Sequence, residues 1–121
     1  MQVTVKHMIQ NTTTGDVEGY RDVAVVNFPD GHNTDDILEY AYRWTNNVMG
    51  SWSIKEKYLP MRDGSMMENG DYNEDVTVLY NRPDGMGQRS TMVGDRMEVG
   101  GIVYRVAMLG FKEIGYAEEL A

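Results

Sequence analysis

The stretch Met97-Glu98-Val99-Gly100-Gly101-Ile102-Val103-Tyr104-Arg105-Val106 joins two short apolar runs through a Gly-Gly pair. A two-residue hairpin turn needs positive φ at both central positions, and glycine adopts that conformation without steric cost. The sequence therefore predicts an antiparallel β-hairpin here. A further short strand is predicted at residues 110–114.

The N-terminal part of the chain predicts a second antiparallel hairpin. Val3 and Val5 mark an opening strand, which the polar stretch 11–16 ends. A second strand is predicted at about residues 21–28, where β-branched residues are concentrated. Strand character returns at residues 76–80.

One principal helix is predicted from about Thr34 to Met49. Asn33 or Thr34 can cap its N-terminus, and Gly50 follows where a left-handed C-terminal residue is favoured. Apolar residues that would face a sheet recur at helical spacing. They are Ile37, Ala41, Trp44 and Val48.

These elements predict an α+β fold in a single domain over residues 1–121. The expected architecture is a mainly antiparallel sheet of five or six strands with the helix at 34–49 packed on one face. A partly closed, SH3-like or PUA-like barrel in the C-terminal part is the main variant of this prediction.

Charge and composition narrow the functional classes. The net charge is −8, from 19 acidic and 11 basic residues, and the basic residues do not cluster along the sequence. Such a chain is repelled by phosphate backbones, so direct nucleic-acid binding is disfavoured and a partner with a basic surface is favoured. No apolar run approaches the roughly 20 residues that a membrane helix needs.

Cysteine is absent, which excludes disulfides, a thiol nucleophile and thiolate metal ligands. The first six residues resemble a strand rather than a signal peptide. Both features lead us to expect a cytoplasmic protein.

No catalytic constellation can be recognised, so we expect neither an enzyme nor a cofactor. His7 and His32 lie in ordinary strand and turn settings, and no Gly-x-Ser-x-Gly motif accompanies Ser51 or Ser90. Phosphate-binding loops rich in glycine are absent as well.

An acidic segment without any basic residue extends from Asp63 to Asn81, and we interpret it as a mobile excursion. Residues 71–75 imitate the start of a calcium-binding loop. A calcium loop requires glycine at its sixth position and glutamate at its twelfth. This chain has Val76 and Arg82 there, which excludes an EF-hand. We therefore predict no metal site.

Binding to a protein partner is the remaining use for the exposed polar side chains. Tyr40 and Arg43 are one turn apart on the predicted helix, and tyrosine and arginine are common in binding hot spots. The acidic segment adds further candidates. The predicted partner-binding residues are Tyr40, Arg43, Asp63, Glu68, Asp71, Tyr72, Glu74 and Asp75.

The string Arg89-Ser90-Thr91-x-Val93-Gly94-Asp95, followed by Gly110-Phe111, carries a family resemblance. From residue 89 to residue 114 the chain resembles small uncharacterised proteins of phages and mobile elements, such as the YodL-like domains. Residues 46–52 are similar only loosely. The family has no established catalytic residues, so none is carried over to this chain.

The resemblance implies a small acidic accessory protein that binds and inhibits a host protein, such as a defence nuclease or a CRISPR effector. One alternative is a virion or assembly component that forms a homo-oligomer. Another is an enzyme that binds a small ligand or nucleotide between helix and sheet, with Asp95, Arg89 or His32 taking part. The identity of the partner and the oligomeric state stay open at this point.

Overall fold

The computed structural model describes residues 1–120 and confirms the α+β class. The elements, in chain order, are β1 (Gln2–Gln10), β2 (Val17–Asn27), α1 (Thr34–Trp44), β3 (Tyr58–Pro60), β4 (Met66–Glu68), β5 (Val76–Val78), β6 (Arg96–Val99), β7 (Ile102–Val106), β8 (Phe111–Tyr116) and α2 (Ala117–Leu120). Six strands form one antiparallel sheet in the order β5-β2-β1-β6-β7-β8, and β3 pairs only with β4. The six-stranded sheet is open, with β5 and β8 at its edges, so the barrel variant is not formed.

Both predicted hairpins are present. The β1–β2 hairpin pairs Val5 with Ala24 in antiparallel register. The β6–β7 hairpin turns through Gly100 and Gly101, whose φ angles are +57° and +80°. The sequence predicted positive φ at both glycines, and the observed angles confirm this prediction.

The core lies between one face of the sheet and α1. Val3 and Val5 of β1 are fully buried there, as are Leu38 and Ala41 of the helix. Trp52, the largest fully buried side chain, comes from an irregular segment between α1 and β3. The helix therefore packs on one face of the sheet as expected, but an aromatic residue outside any regular element completes the core.

The helix is shorter than the sequence predicted, since it ends at Trp44 instead of Met49. The backbone N–H groups of Val48 and Met49 donate to the carboxylate of Asp71, both at 2.9 Å, instead of to helix carbonyls. Val48 is consequently 61% exposed and does not belong to the buried stripe. A buried acceptor from another part of the chain has replaced the last helical turn.

Residues 63–75 are not a mobile excursion, which corrects the prediction for the acidic segment, whereas β5 confirms the strand expected at residues 76–80. The segment contains β4 and β5, and between these strands Asn69 and Asp71 are buried. The Asn69 side chain accepts from the N–H of Ser51 and donates to three backbone carbonyls of residues 51–56. The segment therefore anchors the irregular stretch that carries Trp52.

A second irregular stretch, residues 79–95, packs against the first. The Trp52 Nε1–H group donates to the carbonyl of Arg89 at 2.9 Å, and the Asn47 amide donates to the carbonyl of Gln88.

No helix within residues 1–120 combines the length and apolar character that crossing a membrane requires.

Candidate functional site

The eight predicted partner-binding residues lie in two places. Asp63 and Glu68 belong to the β3–β4 hairpin. The other six are Tyr40 and Arg43 on α1, and Asp71, Tyr72, Glu74 and Asp75 in the turn before β5. Side-chain hydrogen bonds join this turn to the helix. The structure therefore brings six of the eight residues together and leaves two on a separate hairpin.

Asp71 is completely buried and therefore does not lie on a partner-binding surface. Its carboxylate accepts from Arg43 Nη1 at 3.2 Å and from the N–H groups of Val48 and Met49. Arg43 also lies 4.1 Å from the centre of the Trp44 ring. Both residues thus stabilise the end of α1, where the sequence alone suggested exposed contacts.

Tyr40 is held against the acidic turn by two hydrogen bonds. Its hydroxyl donates to Asp75 at 2.6 Å and accepts from the Asn73 amide at 3.0 Å. Burial raises the pKa of Tyr40, and the neighbouring Asp75 carboxylate acts in the same direction. Edge-to-face contact with Phe28, at 4.8 Å between ring centres, fixes the ring from the other side. Asp75 and Glu74 remain exposed beside it.

The charge around the turn is mixed because two lysines approach Tyr72. Lys55 Nζ lies 4.7 Å from the ring centre and Lys57 Nζ lies 5.9 Å from it. Partial burial lowers the pKa of Lys55, whereas Glu74 and Asp75 oppose that shift. The turn is therefore less negative than its sequence implies.

The β3–β4 hairpin carries the remaining two predicted residues. Asp63 accepts from the N–H and the hydroxyl of Ser65, and these hydrogen bonds lower the pKa of Asp63. Glu68 is exposed, and so are Met61 and Met66 on the same hairpin. Asp63 shapes its own turn, which leaves Glu68 as the acid free to meet a partner.

A separate buried network surrounds Asp95, which is completely buried. Its carboxylate accepts two hydrogen bonds from Arg89 and one each from the N–H groups of Met8 and Met92. The histidine beside it is His7, whose Nε2 lies 3.9 Å from Asp95 Oδ2. His32 instead contacts the Phe28 ring. Of the three residues considered for an enzyme, Asp95 and Arg89 are in contact, and His32 lies elsewhere.

His7 is neutral near pH 7 and its tautomer follows from a chain of hydroxyl groups. Burial lowers the pKa of His7 from 6.5 to about 4; Asp95 opposes this shift and Arg89 reinforces it. The Thr45 hydroxyl donates its only proton to the Ala41 carbonyl, so in their 2.7 Å contact Thr91 must donate to Thr45. Thr91 therefore accepts from His7 Nε2 at 2.9 Å, which places the proton on Nε2.

Arg21 lines one cavity of about 280 Å³ together with Arg82 and Arg89, which are 61 and 68 positions away in the sequence. Arg21 comes from β2, whereas Arg82 and Arg89 come from the irregular stretch 79–95. Sequence analysis missed this cluster because only the fold brings these positions together. No local pattern around any of the three marks it.

The calcium-like string at 71–75 is occupied by protein hydrogen bonds. Asp71 binds the end of α1, Asp75 accepts from Tyr40, and Asn73 accepts from the N–H of Asp75. Within residues 1–120, no three His, Asp or Glu side chains are arranged to hold a metal ion. The acidic turn and the arginine-lined cavity are polar features in which the described residues form no metal-binding cluster. No protein-family model, curated protein or solved structure matches this chain.

Proposed function

We propose that the protein is a small acidic accessory protein of the phage type, which binds a basic surface of a host protein and inhibits it. Defence nucleases and CRISPR effectors are the proposed partner class, because their nucleic-acid grooves are basic. The contact surface would be the acidic-turn face, defined here by Tyr40, Tyr72, Glu74 and Asp75. The net charge of −8 would speed the encounter with such a partner.

The observation that carries this proposal is the fixed position of Tyr40 against Asp75. The 2.6 Å hydrogen bond between them, together with that from Asn73, holds an aromatic ring and a carboxylate in one arrangement before any partner arrives. Binding then loses less side-chain entropy than it would on a mobile loop. Tyrosine is also among the residues that contribute most to interfaces.

The exposed acids of the segment differ in their contacts. Asp71 is buried, and Asp63 is exposed but accepts from Ser65 in its own turn. Glu74 and Asp75 are exposed on the acidic-turn face, and Glu68 is exposed on the neighbouring β3–β4 hairpin. Lys55 and Lys57 lie beside them. A mixed pattern of this kind favours one orientation of a partner, and it imitates a nucleic-acid backbone only in part.

The proposal is tested by inhibition of DNA cleavage by purified CRISPR effector complexes and defence nucleases of the host. The variant E68Q/E74Q/D75N removes three exposed charges, and the amide oxygen that it introduces at position 75 can still accept from Tyr40. We expect it to raise the inhibitory concentration at least tenfold. The matched control E113Q/E118Q/E119Q removes three exposed charges from β8 and α2.

Inhibition that survives in the first variant, or that falls equally in both, would contradict a role for the acidic-turn face. Absence of inhibition across the whole panel, with no complex on gel filtration, would contradict the proposed partner class.

The alternative of a homo-oligomeric assembly component is favoured by the turn between β7 and β8. Met108 and Leu109 are 88% and 95% exposed there, and large apolar side chains in such positions often mark contacts between subunits. Light scattering on the purified protein decides between the two functions. A defined oligomer that M108S/L109S converts to monomers would favour assembly, and a monomeric wild type would exclude it.

A further inference from the structure

The cavity of about 280 Å³ has a net positive charge within an acidic protein, because Asp84 pairs with Arg82 and Asp95 with Arg89 whereas Arg21 is in no ion pair within residues 1–120. Arg21, Arg82 and Arg89 line it, so three of the 11 basic residues meet at one place. None of its lining residues is acidic; the others are His7, Met8, Val23, Tyr80 and Gln88. A cavity with such walls favours an anion.

Each of the three guanidinium groups is positioned by a contact within the protein. Buried Asp95 holds Arg89 through two hydrogen bonds of 2.7 and 2.9 Å. Asp84 holds Arg82 at 2.5 Å. Arg21 lies over the Tyr80 ring, 4.1 Å from its centre. The arginines are therefore arranged before a ligand binds, which lowers the entropic cost of binding.

A count of hydrogen-bond donors shows that these contacts leave N–H groups free. A guanidinium has five N–H donors, of which Arg89 uses three, two on Asp95 and one on the Ser90 carbonyl. Arg82 uses two, on Asp84 and the Gly87 carbonyl. Arg21 forms no ion pair with any residue from 1 to 120. An anion with several acceptor oxygens can use the remaining donors.

A second cavity adjoins the first and differs in character. It has a volume of about 420 Å³ and shares Tyr80, Arg82 and Gln88 with the arginine cavity. Its other walls combine apolar, polar and charged side chains, which include Ile54, Val78, Met86, Asn81, Lys55 and Glu56. Space of this kind suits a flat, partly polar group attached to the anion.

We propose that the arginine cavity binds the phosphate group of a nucleoside monophosphate, whose base and sugar lie in the adjoining cavity. Arginine matches a phosphate because its planar donors reach two oxygens at once. This site lies apart from the acidic-turn face and goes beyond the function proposed above.

Calorimetric titration of the intact protein with the four nucleoside 5′-monophosphates, with the corresponding nucleosides and with inorganic phosphate tests the proposal. We expect saturable binding of at least one nucleotide, weaker binding of phosphate, and no binding of the nucleosides. Absence of saturable nucleotide binding at millimolar concentration would overturn the site. Equal affinity for phosphate and nucleotides would overturn the role of the adjoining cavity.

A matched pair of variants locates the binding. Arg21→Gln should weaken nucleotide binding at least tenfold, whereas Arg62→Gln removes an equal charge from the β3–β4 turn and should leave it unchanged. Both side chains are exposed, so we expect both variants to unfold at the wild-type temperature without ligand. Equal effects of the two changes would overturn the assignment to this cavity. Arg82→Gln provides a second variant with the same expected loss.

The two proposals fail independently of each other. E68Q/E74Q/D75N should keep nucleotide binding, and Arg21→Gln should keep inhibition of a host protein. Loss of nucleotide binding in the first variant would show that the ligand does not use the arginine cavity alone, and would overturn the site as described.

Discussion

The carboxylate of Asp95 accepts two hydrogen bonds from the guanidinium of Arg89, at 2.7 and 2.9 Å, although Asp95 is completely buried. The same carboxylate accepts from the backbone N–H groups of Met8 and Met92, each at 2.8 Å. One side chain therefore ties β1 to the irregular stretch 79–95. This contact also sets the position from which Arg89 lines the cavity.

Replacement of Asp95 by asparagine should destabilise the fold strongly. The variant loses the negative charge that Arg89 faces. The amide NH2 group of asparagine is also a hydrogen-bond donor, and it would face N–H groups that need an acceptor. Removing one partner of a buried ion pair typically lowers the free energy of unfolding by about 3–5 kcal/mol. Urea unfolding followed by tryptophan fluorescence measures this loss. An unfolding free energy within about 1 kcal/mol of wild type would contradict the central role of Asp95.

Asp84→Asn is the matched control, since Asp84 also binds an arginine but is exposed. Exposed ion pairs are screened by water and contribute little to stability. We expect an unfolding midpoint close to wild type. A loss as large as that of Asp95→Asn would show that burial does not distinguish the two pairs.

Stability should fall on acidification because of His7. Burial lowers the pKa of His7 from 6.5 to about 4 in the folded protein. Between these values the unfolded chain binds the proton and the folded chain does not, so the free energy of unfolding decreases as pH falls from 6.5 to about 4. A difference of this size corresponds to about 3 kcal/mol. Urea unfolding at several pH values measures it.

Carboxylates also titrate in this range, so the His7 contribution is isolated by comparison with variants. His7→Gln should show a shallower decrease over this interval, whereas His32→Gln, at an exposed turn, should follow wild type. Parallel curves for wild type and His7→Gln would contradict a lowered His7 pKa.

The direction of the hydroxyl chain predicts the His7 tautomer. Because Thr45 donates to Ala41 and Thr91 donates to Thr45, Nε2 of His7 must carry the proton. Two-bond ¹H–¹⁵N correlation spectra should show the Nε2–H form at pH 7. The Nδ1–H form would contradict the chain as assigned.

Thr91→Val removes an acceptor and a donor at once and should lower the free energy of unfolding by about 1–3 kcal/mol.

The antiparallel architecture was predictable because its signals are local. Gly100 and Gly101 require a tight turn wherever they occur, and the alternation of Val3 and Val5 marks one buried face. The end of α1 was not predictable, because Asp71 lies more than 20 residues away and takes the N–H groups of Val48 and Met49. Local helix propensity contains no information about Asp71, because this acceptor comes close to Val48 and Met49 only in the folded chain.

For the same reason, the sequence identified the acidic residues but did not show which of them are buried and which are exposed. Asp71 and Glu74 look alike in the sequence, yet one is buried among N–H donors and the other is exposed. The arginine cavity shows the reverse case. Arg21 and Arg89 are 68 positions apart, and only the pairing of β1 with β2 and the Asp95 contact bring them together.

Gly94, in the Val-Gly-Asp string at residues 93–95, is subject to a packing constraint. Its φ of +97° is strained for any residue with a side chain, and an added Cβ would lie 2.9 Å from Sδ and Cε of Met8. The Gly94 N–H donates to the Val106 carbonyl, and its own carbonyl accepts from the Tyr20 hydroxyl. The backbone therefore cannot shift freely to relieve the strain.

Gly94→Ala should consequently lower the free energy of unfolding by about 1–3 kcal/mol, the usual cost of such a backbone conformation. Gly19→Ala is the control, because Gly19 lies in β2 with open space around its added Cβ and without positive φ. There alanine should leave stability unchanged or raise it by up to about 1 kcal/mol, since it restricts the unfolded chain. Urea unfolding of both variants measures the difference. Equal stabilities would mean that Met8 and the backbone adjust at no cost, and the turn before β6 would then not depend on glycine.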